Sequence, residues 1–166
     1  MKIALLSDSH DNVSNLEKAI DWLNDHGIKI LIHAGDLSAP SLIVKVLAPN
    51  FRGVSHLVLG NVGDPTLMPK VAAQFKNISY HGKKGHIEVG GKKIAFTHLP
   101  QDAETLAKES KYDLVVYGHT HTFETRKENG TTIVNPGSVG GLFSEATFAI
   151  YDTETAKVET KSVGDL

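Results

Sequence analysis

The stretch "KIALLSDSHDN", residues 2–12, sets a short apolar run directly against the polar cluster Asp8-Ser9-His10-Asp11-Asn12. A short apolar run bounded by turn formers reads as a buried strand, here residues 2–7. Beyond it Leu16, Ala19, Ile20 and Leu23 recur at helical spacing, so a helix is expected to about His26. Ser14 with Glu17 suits a capping box at its start, and Gly27 supplies the stop. The unit then repeats. Residues 28–33 form a second strand broken by Ala34-Gly35-Asp36, and residues 41–47 a short helix ending before Pro49. Residues 54–59 form a third strand running into a turn at residues 60–65, with another short helix over 66–75. Strand–helix alternation of this kind builds right-handed parallel units.

Past Phe75 the pattern changes to hairpins. Strands at 86–89 and 92–97 flank Gly90-Gly91, a two-residue turn signal. Residues 102–110 read as a helix and 114–117 as a strand, followed by paired runs at 124–128 with 131–134 and at 147–151 with 157–161. The expected product is a mixed α/β domain of two facing sheets with helices outside, spanning residues 1–166 as one domain.

Composition sets the class. The 166 residues are 40% hydrophobic and 22% charged, ordinary for a globular protein, with a formal net charge of −2. The longest basic runs are Lys83-Lys84 and Lys92-Lys93, which argues against nucleic-acid polymers or anionic membrane as partners. There is no cysteine, so any metal must be held by nitrogen and oxygen. With no long apolar stretch and no signal-peptide core, a cytoplasmic protein is expected. The sequence is compatible with a homo-oligomer.

Chemistry gathers at the strand ends. Asp8 and His10 follow the first strand, Asp36 the second and Asn61 the third; His98 follows residues 92–97. In "YGHTHTF", residues 117–123, His119 and His121 follow an apolar run one residue apart, and in an extended segment both would project to one side. Ligands of α/β sheets bind where strand ends open into loops. Seven oxygen or imidazole donors at one rim exceed what one ordinary metal takes and suit two. A plain turn-forming role is credible for Asp8, Asp36 and Asn61 singly but is a poor account of the whole set.

The ordered set "DSHDN", "HAGD", "GN", "THLP", "GHTH" and "NPGS" resembles the calcineurin-like metallophosphoesterases, in particular their compact prokaryotic phosphodiesterase branch, over essentially the whole chain. The resemblance implies a four-layer αββα sandwich with a two-metal site. It assigns Asp8, His10, Asp36 and His121 to one divalent ion. Asp36 bridges to a second ion that also takes Asn61, His98 and His119. Asp36, Asn61 and His98 are the catalytic candidates. The implied activity is hydrolysis of small phosphodiesters by in-line attack of a hydroxide shared between the ions. Two dications against two carboxylates and one hydroxide leave a single positive charge, which matches a diester monoanion better than a monoester dianion. Manganese is the expected metal, and the donors also suit nickel, iron, cobalt or zinc. The competing reading is a protein-interaction scaffold like the retromer subunit of the same fold, whose metal site is degraded; here every donor, His121 included, is present.

The chain departs from the pattern in three places. Val62 stands where larger phosphatases of the superfamily have a histidine that assists the leaving group. Gly63 stands where the compact branch has aspartate, with Asp64 one residue later. Thr97 replaces the glycine before His98, and Leu99-Pro100 follows it. The other histidines read differently: His33 packs against or holds the ligands, His26 ends a helix, and His56, His81 and His86 are strand or surface residues. Asp11 and Asn12 are expected to start the helix, and the Pro136-Gly137-Ser138 turn to shape the floor of the site or hold an anion.

Overall fold

The computed structural model describes residues 1–166. Its strands are β1 (Lys2–Leu6), β2 (Ile30–His33), β3 (Val54–Leu57), β4 (Ile78–Tyr80), β5 (Lys84–Val89), β6 (Lys92–Thr97), β7 (Leu114–Val116), β8 (Phe123–Glu128), β9 (Thr131–Pro136), β10 (Thr147–Asp152) and β11 (Lys157–Ser162). One mixed sheet runs β11-β10-β1-β2-β3-β4 and the other β5-β6-β7-β9-β8. The helices are α1 (Val13–Asp25), α2 (Ala48–Asn50), α3 (Leu67–Ala72) and α4 (Pro100–Lys108).

Period-two alternation in the strands explains the layering. Ala4, Leu6, Leu31 and Leu57 face outward and pack with Leu16, Ala19, Ile20 and Leu23 of α1. Ile3, Leu5 and Ile32 face inward, against Ile94, Phe96, Leu114, Val116 and Val134 of the other sheet. Ala95, Val115 and Ile133 turn out again beneath Ala103, Leu106 and Ala107 of α4. Three apolar layers separated by two sheets make the expected αββα sandwich. No helix is long and apolar enough to cross a membrane.

Several local expectations are corrected. Asn12, not Ser14, caps α1, its side chain accepting from the Asn15 N–H at 3.1 Å. Asp11 instead accepts from the Ala39 N–H. The helix expected to stop before Pro49 is a π-helical turn, Ile43–Leu47, that runs through Pro49 into α2. Proline lacks the N–H that an α ladder would need there, and the wider turn accommodates the loss. Strand β4 has no alternating pattern of its own; it is made by parallel pairing with β3.

Burial makes two histidines sensitive to acid. His33 is fully buried, and its pKa falls to about 3 because burial penalises the imidazolium. His56, half-buried beside His81, falls to about 4 for the same reason, with the His81 charge adding to it. Both take up protons below about 6.5 when unfolded but not when folded, so their contribution to stability is full above that pH and is lost as pH falls. His33 alone gives a slope of about 1.4 kcal/mol per pH unit below 6. Urea denaturation of the chelator-treated protein from pH 7 to 4.5 should show this loss, flattened in His33→Gln. Equal slopes for parent and variant would contradict it.

Candidate metal centre

Loops leaving β1, β2, β3, β6 and β7 meet at one rim and bring all seven predicted donors together. Backbone bonds lace that rim: the Asp8 N–H donates to the Gly35 carbonyl at 3.0 Å and the Gly118 N–H to the His98 carbonyl at 3.1 Å. Five of the seven residues adopt left-handed backbone: Asp8 (φ 54), His10 (42), Asp36 (54), His119 (73) and His121 (58). Such conformations are uncommon outside glycine and cost stability, and they collect where surrounding structure holds side chains for function. They also overturn the expectation that "GHTH" is extended. His119 and His121 lie in a left-handed turn, and each presents a different nitrogen to the cleft.

The donors fall into two groups. In the first, His121 Nε2 lies 3.2 Å from Asp8 Oδ1 and 3.1 Å from His10 Nε2, which is itself 3.6 Å from Asp8 Oδ1. In the second, His98 Nε2 lies 3.4 Å from Asp36 Oδ2 and 2.8 Å from Asn61 Oδ1, and His119 Nδ1 is also 2.8 Å from that oxygen. Asp36 stands between the groups, with Oδ2 3.8 Å from His10 Nε2.

The rest of each ring's bonding decides what these nitrogens are. His121 Nδ1 faces the Leu142 carbonyl at 2.9 Å, and His98 Nδ1 faces the Ala34 carbonyl at 2.9 Å. A carbonyl only accepts, so Nδ1 carries the proton in both rings and Nε2 of the neutral ring is a lone pair. The His98 and His121 lone pairs therefore converge with carboxylate oxygens, one in each group, and Asp8 Oδ1 is buried without any hydrogen-bond donor. Buried acceptors facing one another are unfavourable unless a cation lies between them. At His98 a proton on Nε2 would relieve the same contact. Burial lowers its pKa, but the adjacent Asp36 carboxylate outweighs burial and the net shift is upward. Burial likewise raises Asp36, yet bonds from His98 and from the Val62 N–H bring it below the usual carboxylate value. This donor set fits divalent ions held by nitrogen and oxygen.

Sequence reading missed the parts that hold the ligands. The Ala34 and Leu142 carbonyls leave no side-chain signal. Asn135 does: it ends an apolar strand, is fully buried, and donates from Nδ2 to the Gly118 carbonyl and Thr120 Oγ1, each at 2.9 Å, bracing the histidine turn. His33 lies 3.1 Å from Ser9 Oγ and makes no hydrogen bond to any of the seven predicted ligands. Ser138 donates to the Asp8 carbonyl at 2.8 Å, making the turn a floor. Gly118 is required by close approach: a β-carbon there would collide with Ser7 Oγ and Asp8 Oδ2. Gly118→Ala should cost about 1–3 kcal/mol and weaken metal binding; a melting temperature equal to the parent's, with and without metal, would refute the packing argument.

Two clefts open on these residues and share Asn61. One, of about 340 Å³, is lined by His10, Asp36, Asn61, His119, His121 and Phe143. The other, of about 250 Å³, runs past His98 to Leu59, Leu99 and Lys83.

Comparison with known proteins agrees with this architecture. Phosphodiesterase MJ0936 of Methanocaldococcus jannaschii is 28% identical over 157 residues, covering 93% of this chain and 94% of the relative. The solved structure of an archaeal phosphodiesterase superposes with a TM-score of 0.86 at 28% identity, covering 98% of this chain and 99% of that one. Vps29 of Chaetomium thermophilum shares the fold at 16% identity, with a TM-score of 0.70 and coverage of 97% and 96%. The calcineurin-like phosphoesterase superfamily domain matches residues 1–156, and the chain belongs to that superfamily.

Proposed function

We propose that this chain is a metal-dependent phosphodiesterase acting on small phosphodiesters, with two divalent ions, manganese being the expected metal. The observation that carries the reading is the buried, donorless Asp8 Oδ1 facing the His121 lone pair and close to His10 Nε2, with Asp36 joining this group to Asn61, His98 and His119. Asp8, His10, Asp36 and His121 would hold one ion; Asp36, Asn61, His98 and His119 the other. When bound, such ions act as Lewis acids toward phosphoryl oxygens and acidify water.

The chain's own residues supply the rest. The Ala34 and Leu142 carbonyls lock the His98 and His121 rings, so neither must be ordered when ions bind. The Val62 N–H holds Asp36 Oδ1 at 2.8 Å and leaves Oδ2 turned to the two histidines. The clefts on either side of Asn61 have room for the two ester arms of a small diester. Similarity to archaeal phosphodiesterase, in sequence and in structure, supports the substrate class.

Equilibrium dialysis of the chelator-treated protein against manganese, read by elemental analysis, should give two ions per chain. Nitrophenyl diester hydrolysis should appear with the same metal dependence. One ion per chain would overturn the two-ion assignment, and full loading without hydrolysis of any diester would overturn the activity.

A further inference from the structure

Phe143 stands almost wholly in water. It is 92% exposed, whereas the next most exposed large hydrophobic residue, Met1, is at 53%. Its φ of 65° lies in the left-handed region, which a bulky residue avoids. An exposed aromatic on disfavoured backbone lowers stability twice, so its position is imposed by its neighbours.

Those neighbours belong to the metal centre. The Gly140 carbonyl accepts from Asn12 Nδ2 at 2.8 Å and Asn15 Nδ2 at 3.2 Å, and the Gly140 N–H donates to the Asp8 carbonyl. The Gly141 N–H donates to Ser138 Oγ, and the Leu142 carbonyl takes the proton of His121 Nδ1. The chain is thus tied down up to the residue before Phe143. The ring then lines the mouth of the cleft formed by His10, Asp36, Asn61, His119 and His121, nearly parallel to the His121 imidazole at 19° with centroids 6.1 Å apart. Apart from Leu142, its surroundings at the cleft are polar: Thr120, Thr122 and Ser144. Phe143 with the adjacent exposed Leu142 is far smaller than the contiguous apolar patch of a protein interface.

We infer that Phe143 is a stacking platform for a planar ring carried on one ester arm of the substrate. The substrate class is then a diester bearing an aryl group or a nucleobase, in preference to a dialkyl diester. This deepens the phosphodiesterase reading and rests on it. The phosphate would sit among the seven donors, and an arm leaving on the His121 side passes the Phe143 ring. Stacking suits any flat π face, which a single rigid ring can read without hydrogen bonds.

The test uses three nitrophenyl diesters with one leaving group and different second arms: phenyl, thymidine-5′ and methyl. Each is assayed on the metal-loaded parent and on Phe143→Ala, Phe143→Leu and Phe143→Trp. Intrinsic reactivity cancels in the ratio of kcat/KM between a ring-bearing and the methyl ester, compared across variants. That ratio should fall roughly tenfold in the alanine and leucine variants, mostly through KM, and return in the tryptophan variant. Whether the phenyl or the thymidine ratio moves more identifies the natural ring. Unmoved ratios on an active parent would overturn the inference alone, as would a loss accompanied by a change in mass by sedimentation, which would make Phe143 an interface residue. A fully loaded parent inactive on all three esters would overturn the phosphodiesterase reading itself.

Discussion

Asp36→Asn should lower kcat by about 10³-fold or more while the fold survives. Asp36 is 2% exposed and is the carboxylate shared by the two donor groups, with Oδ2 3.4 Å from His98 Nε2 and 3.8 Å from His10 Nε2. Asparagine keeps the shape, and its carbonyl oxygen can still accept the Val62 N–H, so packing is unchanged. It removes the charge that two cations would share and places an N–H donor, which cannot bind a cation, where a carboxylate oxygen stood. His33→Ala is the contrasting case. It deletes a fully buried ring bonded to Ser9 and should lower activity about tenfold under saturating metal, through positioning. Steady-state kinetics with circular dichroism on both variants separates the two roles. Similar residual activity in the two, at saturating metal, would mean that Asp36 is no more a ligand than His33 is.

The sequence was most legible where chemistry and periodicity coincide. Each of the seven donors lies just after a strand that an apolar run announces, and turn residues mark where that run stops. Legibility failed where structure depends on partners distant in sequence. Strand β4 exists because β3 offers it a parallel edge, and no local pattern encodes that. The π-helical turn before Pro49 answers a missing N–H, a compromise visible only with the flanking packing in place. Alternation is the simplest account of two histidines one apart, so the sequence alone points to an extended "GHTH". Left-handed backbone achieves the same convergence by a different geometry, forced by Gly118 lying against Ser7 and Asp8 and by the His119 N–H donating to Asp8 Oδ2 at 3.0 Å. Donor identity was thus local information, whereas donor orientation came from the backbone carbonyls and amides of other loops.

Leaving-group dependence should be steep. In-line displacement requires the departing oxygen to carry off negative charge or to receive a proton, and a positioned general acid contributes about 10²–10⁴-fold. Val62 occupies the place of the histidine that could serve in larger relatives; its side chain is apolar and its N–H is given to Asp36. Asp64 lies two residues further on, but its Oδ1 accepts from the N–H groups of Thr66 at 2.8 Å and Leu67 at 2.9 Å, which fixes it at the start of α3. His98 has its Nδ1 proton committed to the Ala34 carbonyl, and His121 its own to Leu142. With no acid of its own at the departing oxygen, the protein should hydrolyse nitrophenyl diesters and strained 2′,3′-cyclic phosphates about 10²–10⁴-fold faster than simple alkyl diesters. The measurement is kcat/KM across aryl and alkyl leaving groups, plotted against leaving-group pKa, with the second arm held constant so that Phe143 contributes equally throughout. A flat plot, with chemistry shown to limit the rate, would reveal an acid. Lys83, which lines the adjoining cleft with Asn61 and His98, would then be the residue to replace, since Lys83→Met would restore the steep dependence only if its ammonium had been supplying the proton.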